Sequence, residues 1–408
     1  MSRHLATAVL IVLLLGSSLG LASQTQPATL FEAVSWLQGE AHRIVRASRR
    51  TMSDGTAAFP PQVGLGYEAF WLRDYAYTLE GSVDSYSDKE LTDACRLFIR
   101  SMGPDGAGVD CVKFDGTPIY KPGFGSMGEN PVADGSQFTV AVAWHTYRKA
   151  KDAQLLQECL DPLIKTMNAV PRNPATGLVH ITPGELWDRC PYGFTDTVHK
   201  QGDELFCSLL YVEASRRLAD LLTSAGRTDD VEKWQAESER VAESVRKVFW
   251  DPQAGLFRAA TVCCREPDIW GSAFAVYLGV SDREQSMAIA TYFQKNYAGI
   301  VQNGQIRHLP AGVYWEKAGP RDTYQNGAYW ATPTGWFVYT LDLVDPSLAD
   351  QTVLDLVKDF QAGEACEWVF NDKRQLPNYL ASASLPLAGI RAMIERRQST
   401  REPAAGKQ

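Results

Sequence analysis

Several things are scarce in this chain, and each scarcity excludes something. Histidine is rare, 6 in 408 residues, and no two stand at ligand spacing, so the sequence spells out no metal site. No phosphate loop, dinucleotide fingerprint or GxSxG elbow occurs, which leaves nucleotide chemistry and a nucleophilic serine without support. Basic charge is not in excess: 40 Lys and Arg stand against 48 Asp and Glu, net −8. With no basic stripe, a nucleic-acid partner is excluded. Long apolar runs are limited to one, Ala6 to Leu15, short of the roughly 20 residues a membrane span needs. Arg3 precedes it, and Gly20 and Ala22 follow at cleavage-site positions. That is the layout of a secretory signal peptide over residues 1–22, so an exported chain, periplasmic or extracellular, is expected, with no membrane span in its mature form. No cysteine follows the run, which argues against a lipid anchor.

The chain also lacks a linker, a low-complexity segment, a Pro/Gly-rich hinge and a fixed-period repeat. One domain is therefore expected over 23–395, followed by a polar, disordered tail over 396–408. The 8 cysteines permit disulfides in an exported protein. Their pairing is not legible. Adjacent Cys263 and Cys264 are not expected to pair with each other, and Cys159 and Cys207 fall in apolar helical runs.

What is abundant is helical periodicity. Twelve helices are expected near 30–48, 70–82, 88–101, 134–150, 153–170, 203–224, 228–249, 269–279, 283–297, 326–343, 347–360 and 378–397. Ser87, Asp134 and Ser347 are candidate N-caps. Strand-like stretches are few: 108–113, 178–181, 256–262 and 306–314. Long loops precede every second helix, and they hold nearly all the unusual chemistry. This alternation predicts an all-α (α/α)6 toroid of six helical hairpins, with short β-hairpins in the long loops. Inner helices would begin at one face, where their N-termini offer donors to a ligand.

The stretch GYEAFWLRDYAYTLEG, 66–81, interleaves Trp71, Arg73 and Asp74 with Tyr67, Phe70, Tyr75 and Tyr77. Aromatic faces beside hydrogen-bonding groups suit a sugar ring. Arg73 and Asp74 would hold hydroxyls, and Trp71 or Phe70 would pack the ring face. An ion pair that seats the helix is the alternative. Asp134 and Gln137 stand at the next inner helix. Loop 184–208 carries Glu185, Asp188, Asp196, Asp203 and Glu204 among Trp187, Tyr192 and Phe194. Asp203 and Glu204 read as first-turn helix acids, and His199 as solvent-facing. Asp196 sits in the apolar setting that would raise a carboxyl into the range of a general acid, with Asp188 and Glu185 as rivals. Asp268 reads as an N-cap, and Trp270 as a cleft residue. Tyr324, Gln325, Asn326 and Trp330 combine amides and aromatics before a helix. Glu316, Glu364 and Glu367 are the remaining loop acids.

FWLRD at 70–74 resembles the Trp-Arg-Asp signature of six-hairpin (α/α)6 glycosidases such as the family-125 α-mannosidases. YQNGAYW at 324–330 is similar to a YxNGxxW segment of related toroids. EWVFNDKRQLPNYLASASLPLA, 367–388, is similar in layout to the end of the trehalase-like and family-63 α-glucosidases. The resemblance implies a glycoside hydrolase, inverting and exo-acting on α-linked gluco- or manno-configured glycans, with no cofactor. It puts Asp196 at the general acid's position and Glu367 at the base's. Trp71, Arg73, Asp74, Gln137, Trp270, Tyr324, Gln325, Asn326 and Trp330 would hold the oligosaccharide or glycoside. Two alternatives stay open. One is an unsaturated-uronide hydrolase or polysaccharide lyase, for which Arg73, Arg189, Lys200, Arg265, Lys317 and Arg321 could bind a carboxylate. The other is a toroid that binds glycans without turnover.

Overall fold

The computed structural model describes residues 28–64, 66–122, 131–183 and 197–401. The putting-together is helical. Among the described residues, six outer helices are α1 (Leu30–Ser48), α3 (Asp88–Arg100), α5 (Ala153–Ala169), α7 (Thr228–Val248), α9 (Arg283–Lys295) and α12 (Pro346–Gly363). Six inner ones are α2 (Leu72–Ser82), α4 (Gly135–Ala150), α6 (Leu205–Ser224), α8 (Ile269–Tyr277), α11 (Thr334–Leu341) and α13 (Leu380–Arg401). A single turn, α10 (Tyr297–Ile300), extends α9. The inner helices pack in the order α2, α4, α6, α8, α11, α13, and α13 returns against α2 to close the ring.

The two layers differ in how their residues face water. On α1, Ala33, Leu37, Ala41, Ile44, Val45 and Ser48 are buried, one stripe at helical spacing. On α2, every residue but Glu80 is buried, because neighbours cover all sides. Five outer helices also start on local caps. Thr29, Ser87 and Asp282 form capping boxes with Glu32, Glu90 and Gln285, and Asp152 and Asp345 accept from the first turns of α5 and α12. Asp345, not Ser347, caps α12. The inner helices α2, α4 and α11 have no side-chain cap.

Close helix approach sets the inner seam. A Cβ on Gly389 would stand 2.2 Å from the Gly335 carbonyl carbon, and one on Gly81 would stand 1.7 Å from the Ser384 carbonyl oxygen. Glycine alone allows α13 to lie this near to α11 and α2.

Strands occur only in the loops of the described residues. They are β1 (Arg50–Thr51), β2 (Ala57–Ala58), β3 (Ala69–Trp71), β4 (Cys111–Lys113), β5 (Pro118–Ile119), β6 (His180–Ile181) and β7 (Gly202–Asp203). β8 (Trp250–Asp251), β9 (Leu256–Phe257), β10 (Val301–Gln302), β11 (Gln305–Arg307), β12 (Tyr329–Trp330), β13 (Trp368–Phe370) and β14 (Lys373–Gln375) follow. β10 to β14 form one antiparallel sheet, and β3, β4 and β5 another.

Two boundaries differ from expectation. The helix expected from 326 begins at Thr334, because Gly327 takes φ +121° and Tyr329–Trp330 pair as a strand. The last helix runs through Arg401, into the expected tail. There Arg396 and Arg397 bind Asp342, and Arg397 also binds Asp350. Residues 1–22, where a signal peptide is expected, and the end of the tail lie outside the described residues. No described helix is long and apolar enough to cross a membrane. Cys95, Cys111, Cys159, Cys207, Cys263, Cys264 and Cys366 are free, buried thiols; Cys190 lies outside the described residues.

Candidate active site

Five of the six inner helices bring an acid to the start of the ring. Asp74 lies in the first turn of α2, Asp134, Glu204 and Asp268 stand at the N-caps of α4, α6 and α8, and Glu367 precedes α13. All five are buried. A buried carboxylate needs a partner, and the partners divide these acids into two kinds.

Three are matched by cationic side chains or a histidine. Arg73 Nε donates to Asp134 at 2.8 Å, Lys200 Nζ to Glu204 at 2.8 Å, and His308 Nε2 lies 3.1 Å from Asp268. Glu204 and Asp268 also cap their helices, accepting from the Cys207 N–H at 2.5 Å and the Gly271 N–H at 2.7 Å. Burial opposes every charge here. Glu204 and Asp268 nevertheless hold Lys200 above its ordinary value, while His308 and then Lys200 hold Asp268 below its own. His308 is pushed down by burial. It stacks on Trp270 at 4.0 Å, with the Trp315 ring edge-on at 4.9 Å.

The other two meet tyrosine hydroxyls. Tyr379 donates to Asp74. Glu367 Oε1 accepts from Tyr67 at 2.7 Å and lies 3.5 Å from the Tyr324 hydroxyl. The Glu367 N–H bonds to the Gln375 carbonyl at 2.9 Å, which fixes it at the base of the β13–β14 hairpin. Tyr324 adopts φ +45°. A left-handed backbone is unfavourable for a bulky side chain, and such strain collects at functional sites.

The candidate residues fall into groups. Tyr324 and Glu367 meet, Trp71 joins them through Tyr67, and Asp74 joins through Tyr379, whose ring lies 6.2 Å from that of Tyr67, while Arg73 turns to Asp134. Trp71 is half-buried, with the Tyr67 ring edge-on at 4.9 Å. Gln137 is buried, and both of its amide atoms lack a hydrogen-bond partner, so a donor and an acceptor remain for a hydroxyl. Gln325 and Asn326 do a different job. Gln325 Oε1 accepts from the Thr197 N–H at 3.0 Å and the Thr197 hydroxyl at 2.8 Å. Asn326 Oδ1 accepts from the Trp315 N–H at 3.0 Å, and its Nδ2 donates to the Gly319 carbonyl at 2.7 Å. Both therefore brace loops. Trp270 and Trp330 lie deeper than a ring-stacking role requires: both are buried, 5.9 Å apart, and their Nε1 atoms bond to the Ile306 and Tyr324 carbonyls.

Other expectations change too. Phe70 turns into the core against Tyr75 and Phe98, because β3 alternates its faces. His199 is buried rather than solvent-facing. Asp203 is held underneath by Asn173 and His180. Of the cations considered for a uronate, Arg73 and Lys200 are matched to acids, and Arg321 lies over Tyr314 at 4.7 Å. Glu316 and Glu364 are exposed loop acids. Glu185, Asp188, Arg189 and Asp196 lie outside the described residues. Sequence reasoning missed the roles of Tyr67 and Tyr379. Tyr67 carried a signal, since it stands four residues before Trp71 in the aromatic-rich stretch. No group of described side chains forms a metal site.

A family model, the bacterial α-L-rhamnosidase six-hairpin glycosidase domain, matches residues 113–312. Solved structures share the architecture. A family-63 mannosylglycerate hydrolase from Thermus thermophilus, in complex with glucose, superposes with a TM-score of 0.61 at 18% identity, over 86% of this chain and 99% of that one. A rhamnosidase from Klebsiella oxytoca with rhamnose bound gives 0.61 at 14% identity, over 90% and 65%. A family-78 rhamnosidase from a Bacillus species gives 0.58 at 14%, over 88% and 34%. No curated protein sequence matches the chain. The toroid and the matched domain give this chain the fold of the six-hairpin glycosidases. Its chemistry is that of a glycoside hydrolase.

Proposed function

We propose that the protein is an exported, inverting glycosidase that removes α-linked gluco- or manno-configured units from glycan ends. Glu367 would be the general base and Asp196 the general acid. One observation carries this reading: Glu367 is a buried carboxylate at the start of the ring, with Tyr67 and Tyr324 hydroxyls at one oxygen. Hydroxyl donors favour the ionised form, which is the form that accepts a proton from water.

In an inverting reaction the acid protonates the leaving oxygen while the base activates water on the opposite face of the sugar. The two carboxyls then stand about 6.5–9.5 Å apart. Two features support the pairing. Thr197, next in sequence to the proposed acid, is clamped by Gln325, and the neighbouring Tyr324 reaches toward Glu367. Acid loop and base would thus share one scaffold. Gln137, Arg73, Asp74 and Trp71 would orient the sugar. The manno configuration is favoured because one matched structure is a mannosylglycerate hydrolase.

The test is Glu367→Gln and Asp196→Asn on aryl α-glycosides of glucose, mannose and rhamnose. A fall in kcat of roughly 10²–10⁴ in each is expected. By proton NMR, the first-formed sugar should have the opposite anomeric configuration to the substrate. Full activity in Glu367→Gln, or a retained anomer, refutes the assignment.

A further inference from the structure

A cavity of about 360 Å³ lies at the rim, lined by Arg50, Gly64, Tyr67, Glu68, Lys113, Phe114 and Asp115. Two segments build it. One is the long loop between α1 and β3, where Arg50 donates to the Gly64 carbonyl at 3.4 Å. The other is the β4–β5 hairpin, which the pairing of Lys113 with Ala69 fixes beside β3. Tyr67 belongs both to this cavity and to the site. It lines the cavity, and its hydroxyl donates to Glu367 at 2.7 Å. The cavity therefore stands about one tyrosine ring from the carboxylate.

Its chemistry is specific. Tyr67 and Phe114 supply aromatic surface for the apolar face of a ring. Arg50 and Lys113 supply donors, and Glu68 and Asp115 supply acceptors. Two cations against two anions leave no excess charge to attract a uronate.

We propose that this cavity is a second carbohydrate subsite, which takes a neutral sugar unit of the same glycan beside the unit being cleaved. The proposal rests on the reading of Glu367 as part of the active site. It makes the substrate an oligosaccharide rather than a compact glycoside, and it makes chain length a determinant of affinity.

Binding tests it apart from catalysis. The Glu367→Gln protein is titrated by calorimetry with α-linked manno- and gluco-oligosaccharides of one to four units. A second filled subsite should tighten Kd about tenfold from one unit to two, the gain expected of an added ring contact. Phe114→Ala and Lys113→Ala, each in the Glu367→Gln background, should remove most of that gain. Lys113 is half-buried and lies outside the hydrophobic core, so this variant keeps the test valid if Phe114→Ala fails to fold. Chain-length dependence that is absent, or unmoved in the folded variants, overturns the proposal. Tighter binding of uronate-bearing chains overturns its neutral-sugar part. Should Glu367→Gln retain hydrolysis, the base assignment fails, while chain-length binding still reports on the cavity.

Discussion

Replacing Tyr67 by Phe removes one hydroxyl and little else. The ring keeps its edge-on contact with Trp71 at 4.9 Å, while Glu367 loses its 2.7 Å hydrogen bond. A hydrogen bond to a charged group is worth about 1.5–3 kcal/mol, and one pH unit of titration corresponds to about 1.4 kcal/mol. The loss falls on the ionised carboxylate, so protonation becomes easier. The acid limb of the kcat/KM profile, which reports the base in free enzyme, should therefore move to higher pH by about one to two units. On the plateau the rate should change little, because the base is ionised there in both proteins. Tyr324→Phe removes a longer contact, 3.5 Å, and should move the limb less. The assay is kcat/KM against pH on an aryl glycoside, with melting temperatures recorded alongside. An unmoved limb in a stable Tyr67→Phe protein would refute Glu367 as the base, and so would a limb that moves down.

Two further predictions concern the frame. Gly389→Ala forces a Cβ to within 2.2 Å of the Gly335 backbone, so α11 and α13 must part, and thermal unfolding should show a loss of at least ~2 kcal/mol. Glu90 joins α3 to Arg46 of α1 and to Arg49 just past its end, and accepts from Ser87. Burial raises its carboxyl, but Arg46, Ser87 and Arg49 outweigh that and hold it at about 2, below the ordinary 4.5. A lowered carboxyl stabilises most above its unfolded value. That contribution, about 1–2 kcal/mol with two partly exposed arginines, should fade as pH falls from about 4.5 through about 2. Glu90→Gln should flatten the melting-temperature profile across that window; an unchanged slope would contradict the sign.

The sequence disclosed the frame better than the site. Helix positions followed from apolar periodicity, and the alternation of long and short loops implied which helices lie inside. Where the chain leaves helical geometry, the pattern misled. At 326–333 the apolar spacing continues, yet Gly327 and the Tyr329–Trp330 strand delay the helix to Thr334. At the site, residue type announced that hydroxyl-rich ligands are expected, and the fold links Trp71, Asp74 and Glu367 through Tyr67 and Tyr379. Type could not tell a contact from a brace. Gln325 and Asn326 offer the same amides as Gln137, but only the fold shows that the first two are bonded to loops and the third is not. Nor could spacing pair Tyr67 with Glu367, 300 positions apart.

The last of the described helices in chain order is part of the inner ring. α13 fills the gap between α11 and α2 and also packs on α1, the first helix. Until it leaves the ribosome, the earlier inner helices expose apolar faces that nothing covers, and Glu367 has no closed mouth to stand in. Folding of this toroid is thus a late event governed by the most distant contacts in the chain, a slow topology in which partly folded forms are prone to associate. Loss of this helix therefore acts on the whole ring, because α13 is the piece that shuts it.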